Sequence, residues 1–430
     1  MAKLAWYETE IARNMMSRMG GRAIRGVLSN YFSSKGIYTG KLGLIQVTNF
    51  LQAALNPEER RTLIIVDDYT QRFVKKVTNY LESINMEYHI WSGVLPEVPM
   101  NTIEEGVKIC EEFKPKVIFG IGGGSVMDTV KTVLIKYEKP EQDLLTILPY
   151  FSSLGLRNKV KYWIAIPTTS GTGSEVAQAA VITDTRRDPP KKIIVVNDEL
   201  LADIVILDTD FVKDMPPFLT MATGLDALAH AIGAFVSNWS SPYVDALNKM
   251  AIKEIVKFLP RTYKYGANDL EAHNHMQMAA LMAALGAQGN MTSGIDHALG
   301  HSFGKIFDVH HGLSVGTFLP YSIGFQRNVT DRWKKLCPIF GIEKENKNRD
   351  ELFKEFILAL KNFIQSIDGP TSIKEIKNPV IKKEEYFEKL DLLVDYAFND
   401  AVTLASTRQL NIDLYKKIFT YAWDGKNIDF

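Results

Sequence analysis

Residues Lys116 to Tyr137 read KVIFGIGGGSVMDTVKTVLIKY, and three kinds of local chemistry follow one another without a break. Val117 to Phe119 is a short apolar, β-favouring run that predicts a buried strand. Gly120 to Gly124 predict a turn in which the backbone can approach a ligand closely. From Ser125 onward the spacing predicts a helix, whose free N-terminal amides attract a phosphate. Strand, glycine turn and helix in this order read as the phosphate-binding part of a dinucleotide fold. A lone glycine loop is equally a tight turn, and Ser125 stands where GxGxxG would carry its third spaced glycine.

Outward from this stretch the same alternation continues. From about Ser34, short β-branched runs alternate with helical segments, which predicts βαβ units and a parallel sheet. TLIIVDD, Thr62 to Asp68, predicts a strand followed by a helix through Leu81; YHIW near Tyr88 predicts the next strand and Asn101 to Phe113 a helix. Asp67, at a strand end, is placed to accept from a ribose hydroxyl or to form a turn. Downstream, a strand over Tyr162 to Ile166 leads into IPTTSGTGSEVAQAAVITD. There Thr168, Thr169, Ser170, Thr172 and Ser174 offer hydroxyls between Gly171 and Gly173, a composition that suits phosphate or ribose and equally a surface loop. IVILDTD, Ile204 to Asp210, predicts a further strand. After Met215-Pro216-Pro217 the β signal fades into helix. The division is therefore a Rossmann-like α/β dinucleotide-binding domain over 34–215 and an all-helical domain over 216–430. Before them lies an N-terminal extension over 1–33, expected to be helical and to pack on the body or on a neighbouring subunit. It carries Arg13, Arg18, Arg22 and Arg25, but Glu8 and Glu10 count against a transit peptide.

The helical half holds the second chemical signal. SGIDHALGHSFGKIFDVHHG, Ser293 to Gly312, contains four of the chain's eight histidines. His297 and His301 stand four apart on a predicted helix, which places both rings on one face. Asp226 and His230 in TGLDALAHAIGAF repeat the spacing. Either pair alone is more often a helix-surface interaction or a hydrogen-bonded core histidine. Together, with His310 and His311 just ahead of Gly312, where a helix can end in a turn, they suit one divalent metal of the iron or zinc kind.

Composition narrows the function classes. The chain of 430 residues is 46% apolar, ample for a large core, and its 50 basic and 50 acidic side chains cancel. No global field argues for nucleic acid or an anionic membrane as partner. Cys110 and Cys337 are too few for a disulfide framework, which fits a reducing, cytoplasmic compartment. No uninterrupted apolar run is expected to serve as signal peptide or membrane span. The charged stretch Lys335 to Lys354 predicts a solvated helix or loop.

GGGSVMD, PTTSGTGSE, GLDALAHAI and HALGH with HHG, in this order, closely resemble the iron-containing (group III) alcohol dehydrogenases. The resemblance begins near Gly36, where IYTGKLG is similar to the family's opening strand, and reaches almost to the C-terminus. It implies a dehydroquinate synthase-like architecture, with the active site in the cleft between an α/β and a helical domain. It also implies an oxidoreductase acting on CH–OH groups of small alcohols or aldehydes, usually a homodimer. Carried over by position, Asp226, His230, His297 and His311 fall on the metal ligands and His301 on a non-ligand histidine beside the reacting carbon. Gly122, Gly123, Gly124 and Ser125 fall on the pyrophosphate loop, with Asp128 in the same motif. Thr168, Thr169 and Thr172 fall on the second cofactor loop, Lys192 near the cofactor, and Asp67 on the adenosine ribose. The cofactors implied are NAD, with NADP second, and Fe2+, with Zn2+ second.

Three positions depart from the family pattern: Gly233 for a glutamate, Ala202 for a proline, and His310 for the proline before the last ligand. None removes a ligand. Adjacent side chains diverge, so one metal does not take both His310 and His311, and the resemblance favours His311. The expected reaction uses the metal as a Lewis acid on the alcohol or carbonyl oxygen, hydride transfer to the nicotinamide, and His301 as proton relay. Two rival readings are a dehydroquinate synthase-like lyase that uses NAD transiently and a catalytically idle nucleotide- or metal-binding protein. Net NADH turnover with an aldehyde separates them.

Overall fold

The computed structural model describes residues 4–12, 33–147, 153–188, 190–237, 239–289, 294–404 and 406–430. Of the N-terminal extension, Trp6–Glu8 form one 3-10 turn, while Arg13, Arg18, Arg22 and Arg25 lie outside the described residues. The chain divides into two compact units: residues 33–169 and 173–214 form the body of the first, Met215–Phe430 that of the second, and Ser170–Thr172 group with the second.

The first unit runs β1 (Gly36–Thr39), α1 (Gly43–Ala54), β2 (Arg61–Ile65), α2 (Val74–Ser83), β3 (Glu87–Trp91), α3 (Met100–Phe113), β4 (Val117–Gly122), α4 (Gly124–Glu138), β5 (Tyr162–Pro167), β6 (Ala179–Asp184), β7 (Lys191–Val196) and β8 (Ile204–Leu207). Six strands form one sheet in the order β1-β8-β5-β4-β2-β3, and every neighbouring pair is parallel. All six residues of β4 are buried, the pattern of a central strand covered on both faces. On one face, Val47 and Leu51 of α1 and Val77 and Leu81 of α2 pack with Ile64, Phe119, Ile121, Ile164 and Ile206 of the sheet. Successive strands step outward from β2 to β3 and then in the opposite direction from β4 to β5, so a topological switch point lies between β2 and β4. In open α/β sheets a ligand crevice forms there, outside the carboxyl ends of the strands. Asp67 follows β2 and the glycine turn follows β4, so both motifs border that crevice.

One local expectation needs correction, and one hairpin adds to the expected elements. The strand predicted to end at Phe119 continues through Gly122, because Gly120 to Gly122 stay in register with Ala165 to Pro167 of β5. The turn shrinks to Gly123. The segment after the hydroxyl loop also holds an antiparallel hairpin, β6–β7, paired from Ala179↔Val196 to Asp184↔Lys191. Its second strand alternates buried and half-buried residues, the period-2 signal of a strand covered on one face.

The second unit is helical: α5 (Pro217–Val236), α6 (Pro242–Tyr265), α7 (Leu270–Gly289), α8 (Ile295–Phe307), α9 (His311–Gln326), α10 (Arg349–Gln365), α11 (Lys383–Glu388), α12 (Leu390–Phe398), α13 (Ala401–Leu404) and α14 (Ile412–Asp424). Pro217 opens α5 at a position where its missing N–H is not needed. Although Asp226 and His230 interrupt it, α5 is by length and composition apolar enough to cross a membrane, with a mean hydropathy of 1.4 over its most apolar window; 89% of that window is buried inside the fold. Leu225, Leu228 and Ile232 of α5 pack with Ile252 and Ile255 of α6, Leu299 and Phe303 of α8, and Val315 and Phe318 of α9. A helix apolar on all sides is what a central core helix requires. The charged stretch expected to be solvated contains the start of α10, where Asn348 and Glu351 form a capping box.

Candidate active site

Three helices of the second unit bring one carboxylate and three imidazoles together. Asp226 and His230 lie one turn apart on α5, His297 lies on α8, and His311 is the first residue of α9. Asp226 Oδ1 is 3.5 Å from His297 Nε2, 3.5 Å from His311 Nε2 and 4.0 Å from His230 Nδ1. The His230 and His297 rings stack at 4.4 Å. Asp226 Oδ1, His230 Nδ1 and His297 Nε2 are all buried without a hydrogen-bond partner among the described residues. Such orphaned groups are costly in a native core. They fit a cation: donors held about 2.1 Å from a tetrahedral metal stand roughly 3.4 Å from one another. Among the described residues, Asp226, His230 and His297 form a group whose ligand atoms all lie within 4.8 Å of one another.

The electrostatics of the cluster suit a divalent ion. Burial opposes ionisation of Asp226, but His230, His311 and His297 outweigh it and hold the carboxyl well below its ordinary value. Burial lowers His230 to about 4 against the pull of Asp226, so its ring is neutral at pH 7 and available as a ligand. Burial would lower His297 too, yet the carboxylates of Asp226 and Asp296 raise it to about 9. A metal entering the cluster must displace that proton.

The doublet after α8 separates cleanly. α8 stops at Phe307, where Asp308 takes a left-handed C-cap with φ 52°, and α9 starts at His311. Gly312 therefore opens a helix; it does not close one, as the sequence pattern suggested. His310 is the N-cap, with φ −49° and ψ 133°. That φ is close to the value to which a proline is fixed. The His310 side chain is exposed and meets the Phe218 ring edge-on at 5.6 Å.

In the first unit the glycine turn has the form of an anion cradle. A Cβ on Gly122 would lie 2.3 Å from Val126, and one on Gly123 would lie 3.3 Å from Thr169. Gly123, Gly124 and Ser125 are partly accessible at the N-terminus of α4. The backbone N–H of Thr168 donates to Gly122 O at 3.0 Å, which ties the second loop to the first. Thr168 is buried, whereas Thr169 and Thr172 are partly exposed. Asp67 Oδ1 accepts from the Thr70 N–H at 2.7 Å and from Thr70 Oγ1 at 2.9 Å, so one oxygen holds a turn. Lys192 Nζ, on β7, pairs with Glu97 at 2.8 Å.

Asp128 is turned inward. Its Oδ1 accepts from Ser174 Oγ at 2.5 Å and its Oδ2 from the Val181 N–H at 2.9 Å. Ser174 Oγ in turn accepts from Lys131 Nζ at 2.7 Å, and Lys131 also donates to Ala179 O at 2.6 Å. Burial pushes Asp128 up and Lys131 down, each against the attraction of the other. Both carboxylate oxygens of Asp128 thus anchor the hydroxyl loop and β6 to α4.

The model of the family "Iron-containing alcohol dehydrogenase" matches residues 37–209, and that of "Fe-containing alcohol dehydrogenase family, C-terminal" matches 220–423. The chain belongs to the iron-containing alcohol dehydrogenase family. It is 33% identical over 400 residues to an NADPH-dependent butanol dehydrogenase of Clostridium saccharobutylicum, covering 92% of this chain and 98% of that protein. Among solved structures, an alcohol dehydrogenase from Oenococcus oeni superposes with a TM-score of 0.83 at 25% identity, covering 92% of this chain and all of that one. An iron-containing alcohol dehydrogenase from Thermococcus thioreducens gives 0.79 at 26%, with the same coverage. The protein is thus a metal-dependent alcohol dehydrogenase, an oxidoreductase that acts on CH–OH groups with a nicotinamide cofactor, NAD(P), and a metal ion.

Two carboxylates beside the histidines carry no signal that sequence spacing reveals. Asp296, fully buried, lies 2.6 Å from His297 Nδ1 through Oδ1, while its Oδ2 has no hydrogen-bond partner among the described residues. Asp400 lies 2.9 Å from His301 Nδ1, ninety-nine residues along the chain. Only the first had a cue, being adjacent to a candidate ligand. The family departure at Gly233 falls on a buried face of α5, where its Cα lies 3.2 Å from the Cβ position of Gly294.

Proposed function

We propose that the protein interconverts primary or secondary alcohols with aldehydes or ketones, prefers NAD(H), and holds one Fe2+ ion on Asp226, His230, His297 and His311. The observation that carries the metal assignment is Asp226 Oδ1, buried and without a hydrogen bond among three imidazole nitrogens 3.5 to 4.0 Å away. A divalent ion held by these four residues would supply Lewis acidity to the alcohol or carbonyl oxygen. Gly122 to Ser125 would receive the pyrophosphate at the N-terminus of α4, and Thr168, Thr169 and Thr172 the adjacent part of the cofactor. The free oxygen of Asp67 would accept from the adenosine ribose and repel a 2′-phosphate. His301 would accept the proton leaving the alcohol hydroxyl.

The relative from Clostridium saccharobutylicum is named for butanol and NADPH. Straight-chain alcohols are accordingly the first substrates to try, and the cofactor preference rests on Asp67 alone. The reading further takes the protein to be a cytoplasmic homodimer. The test is a panel of primary alcohols, diols and hydroxy acids with both nicotinamides, on protein loaded with Fe2+ or Zn2+, alongside metal content. Turnover with Fe2+ and NAD+ exceeding that with NADP+ supports the proposal. Full turnover after metal removal overturns it.

A further inference from the structure

We propose that Asp400 is a positioning residue for the reaction, fixing the tautomer and the orientation of the His301 ring. The inference rests on the proposed role of His301 as acceptor of the alcohol proton.

His301 is 5% exposed on α8, and its ring stacks at 5.2 Å on that of His311. Its Nδ1 lies 2.9 Å from Asp400 Oδ2. Asp400 is itself 9% exposed and sits between α12 and α13. Its Oδ1 accepts from the Val402 N–H at 2.8 Å and so caps α13. The two oxygens have separate tasks, one structural and one directed at the histidine.

An ionised carboxylate can only accept, so the ring nitrogen facing Asp400 must carry the hydrogen. In a neutral imidazole that leaves the lone pair on Nε2. The nitrogen away from Asp400 is therefore the proton acceptor, which is what alcohol oxidation demands. The hydroxyl O–H bond breaks, the proton forms a bond to Nε2, and hydride leaves the adjacent carbon for the nicotinamide. With Nδ1 untethered, the ring can adopt the other tautomer, in which Nε2 carries a hydrogen and cannot accept. Loss of the orienting carboxylate in such a pair costs orders of magnitude in turnover where the tautomer becomes wrong.

The test separates the two tasks of Asp400. Asp400→Ser keeps a good capping oxygen for α13 but cannot reach His301, whereas Asp400→Asn keeps the shape of the side chain and presents only one acceptor. We expect each to lower kcat by about 10²-fold or more, with the alcohol KM and the metal content close to wild type. In a His301→Ala background the same substitutions should cost no further turnover. ¹⁵N spectra of histidine-labelled, metal-free protein should show His301 protonated at Nδ1 in wild type and a mixture of tautomers in Asp400→Ser. Wild-type kcat in Asp400→Ser would overturn the inference, as would an equal loss with and without His301. A His301→Ala enzyme with full turnover would instead overturn the reading of His301 on which the inference stands.

Discussion

Glu175, at the end of the hydroxyl loop, is 3% exposed, and burial, opposed by its own backbone amide and the charge of Lys131, raises its carboxyl to about 7 from an ordinary 4.5. A native carboxyl that holds its proton more tightly than the unfolded chain does is a stability liability at high pH. Below pH 4.5 both states are protonated and nothing is lost. Between 4.5 and 7 the unfolded chain ionises first, so stability falls as pH rises, and above 7 the loss is constant. At about 1.4 kcal/mol for each tenfold change in proton affinity, ionised Glu175 costs the native state about 3 kcal/mol at pH 8 and about 1 kcal/mol at pH 5.5. Glu175→Gln removes the charge and keeps the size. It should therefore be more stable than wild type by about 3 kcal/mol at pH 8, with the gap closing towards pH 4.5. Urea denaturation followed by circular dichroism and tryptophan fluorescence at several pH values measures it, because Trp163 is fully buried in β5 just ahead of the loop. An infrared band of a protonated carboxyl at pH 6, absent from Glu175→Gln, gives a second readout. A gap that is the same at pH 5.5 and pH 8 would show that Glu175 ionises normally and would refute the reasoning.

Four further outcomes bear on the site. Asp226→Ala and His297→Ala should each lose metal and activity together, whereas His301→Ala keeps its metal and loses roughly 10² to 10⁴ in turnover; metal analysis beside kinetics decides, and a metal-free His301→Ala protein contradicts the assignment. His311→Ala should abolish metal binding, while His310→Ala, which removes an exposed ring that meets Phe218, should retain it, and the reverse pattern would mean the doublet is read one residue out of register. Asp67→Gly should narrow the preference for NAD(H) over NADP(H), measured as the ratio of kcat/KM values; an unchanged ratio leaves Asp67 as the turn former its bonds to Thr70 already make it. Asp296→Asn should weaken metal affinity by about 10- to 100-fold, read by chelator competition on the apoprotein, since a carboxylate behind a ligating histidine orients the ring. Unchanged affinity would assign Asp296 to folding alone.

The parts of this molecule that were legible in sequence are those whose signal is local. The run from Val117 into α4 showed its strand, turn and helix because apolar content, glycine and helical spacing change within a few residues. The pairs Asp226/His230 and His297/His301 showed themselves because four residues make about one helical turn. What stayed hidden depends on contacts that chain order does not encode. Asp400 meets His301 across ninety-nine residues, and Asp128 accepts from Ser174 and Val181, forty-six and fifty-three residues further along the chain. The hairpin β6–β7 was missed for a different reason. Its burial alternates in the fold, but the residues AAVITD and KKIIVV do not alternate apolar with polar, and the hydroxyl-rich loop before them dominates the local composition.

Glycine explains how three separate helices can deliver donors to one point. Side chains normally hold helix axes 8 to 10 Å apart, and a glycine at the contact lets two helices approach more closely. On α9, a Cβ at Gly312 would fall 2.2 Å from the carbonyl oxygen of Ala222 on α5, and one at Gly316 would fall 2.7 Å from Leu225 Cβ. Between α8 and α9, a Cβ at Gly300 would fall 2.7 Å from Val315. These glycines neighbour the functional residues: Gly312 follows His311, Gly300 precedes His301, and Leu225 precedes Asp226. The obstacle at Gly312 is backbone, which cannot rotate away as a side-chain end can. Any larger residue there must push the first turn of α9 off α5, and His311 Nε2 moves with it from its 3.5 Å separation to Asp226 Oδ1. The glycine after the histidine doublet is therefore part of the donor geometry itself, setting through backbone contact the distance that the imidazole and the carboxylate require.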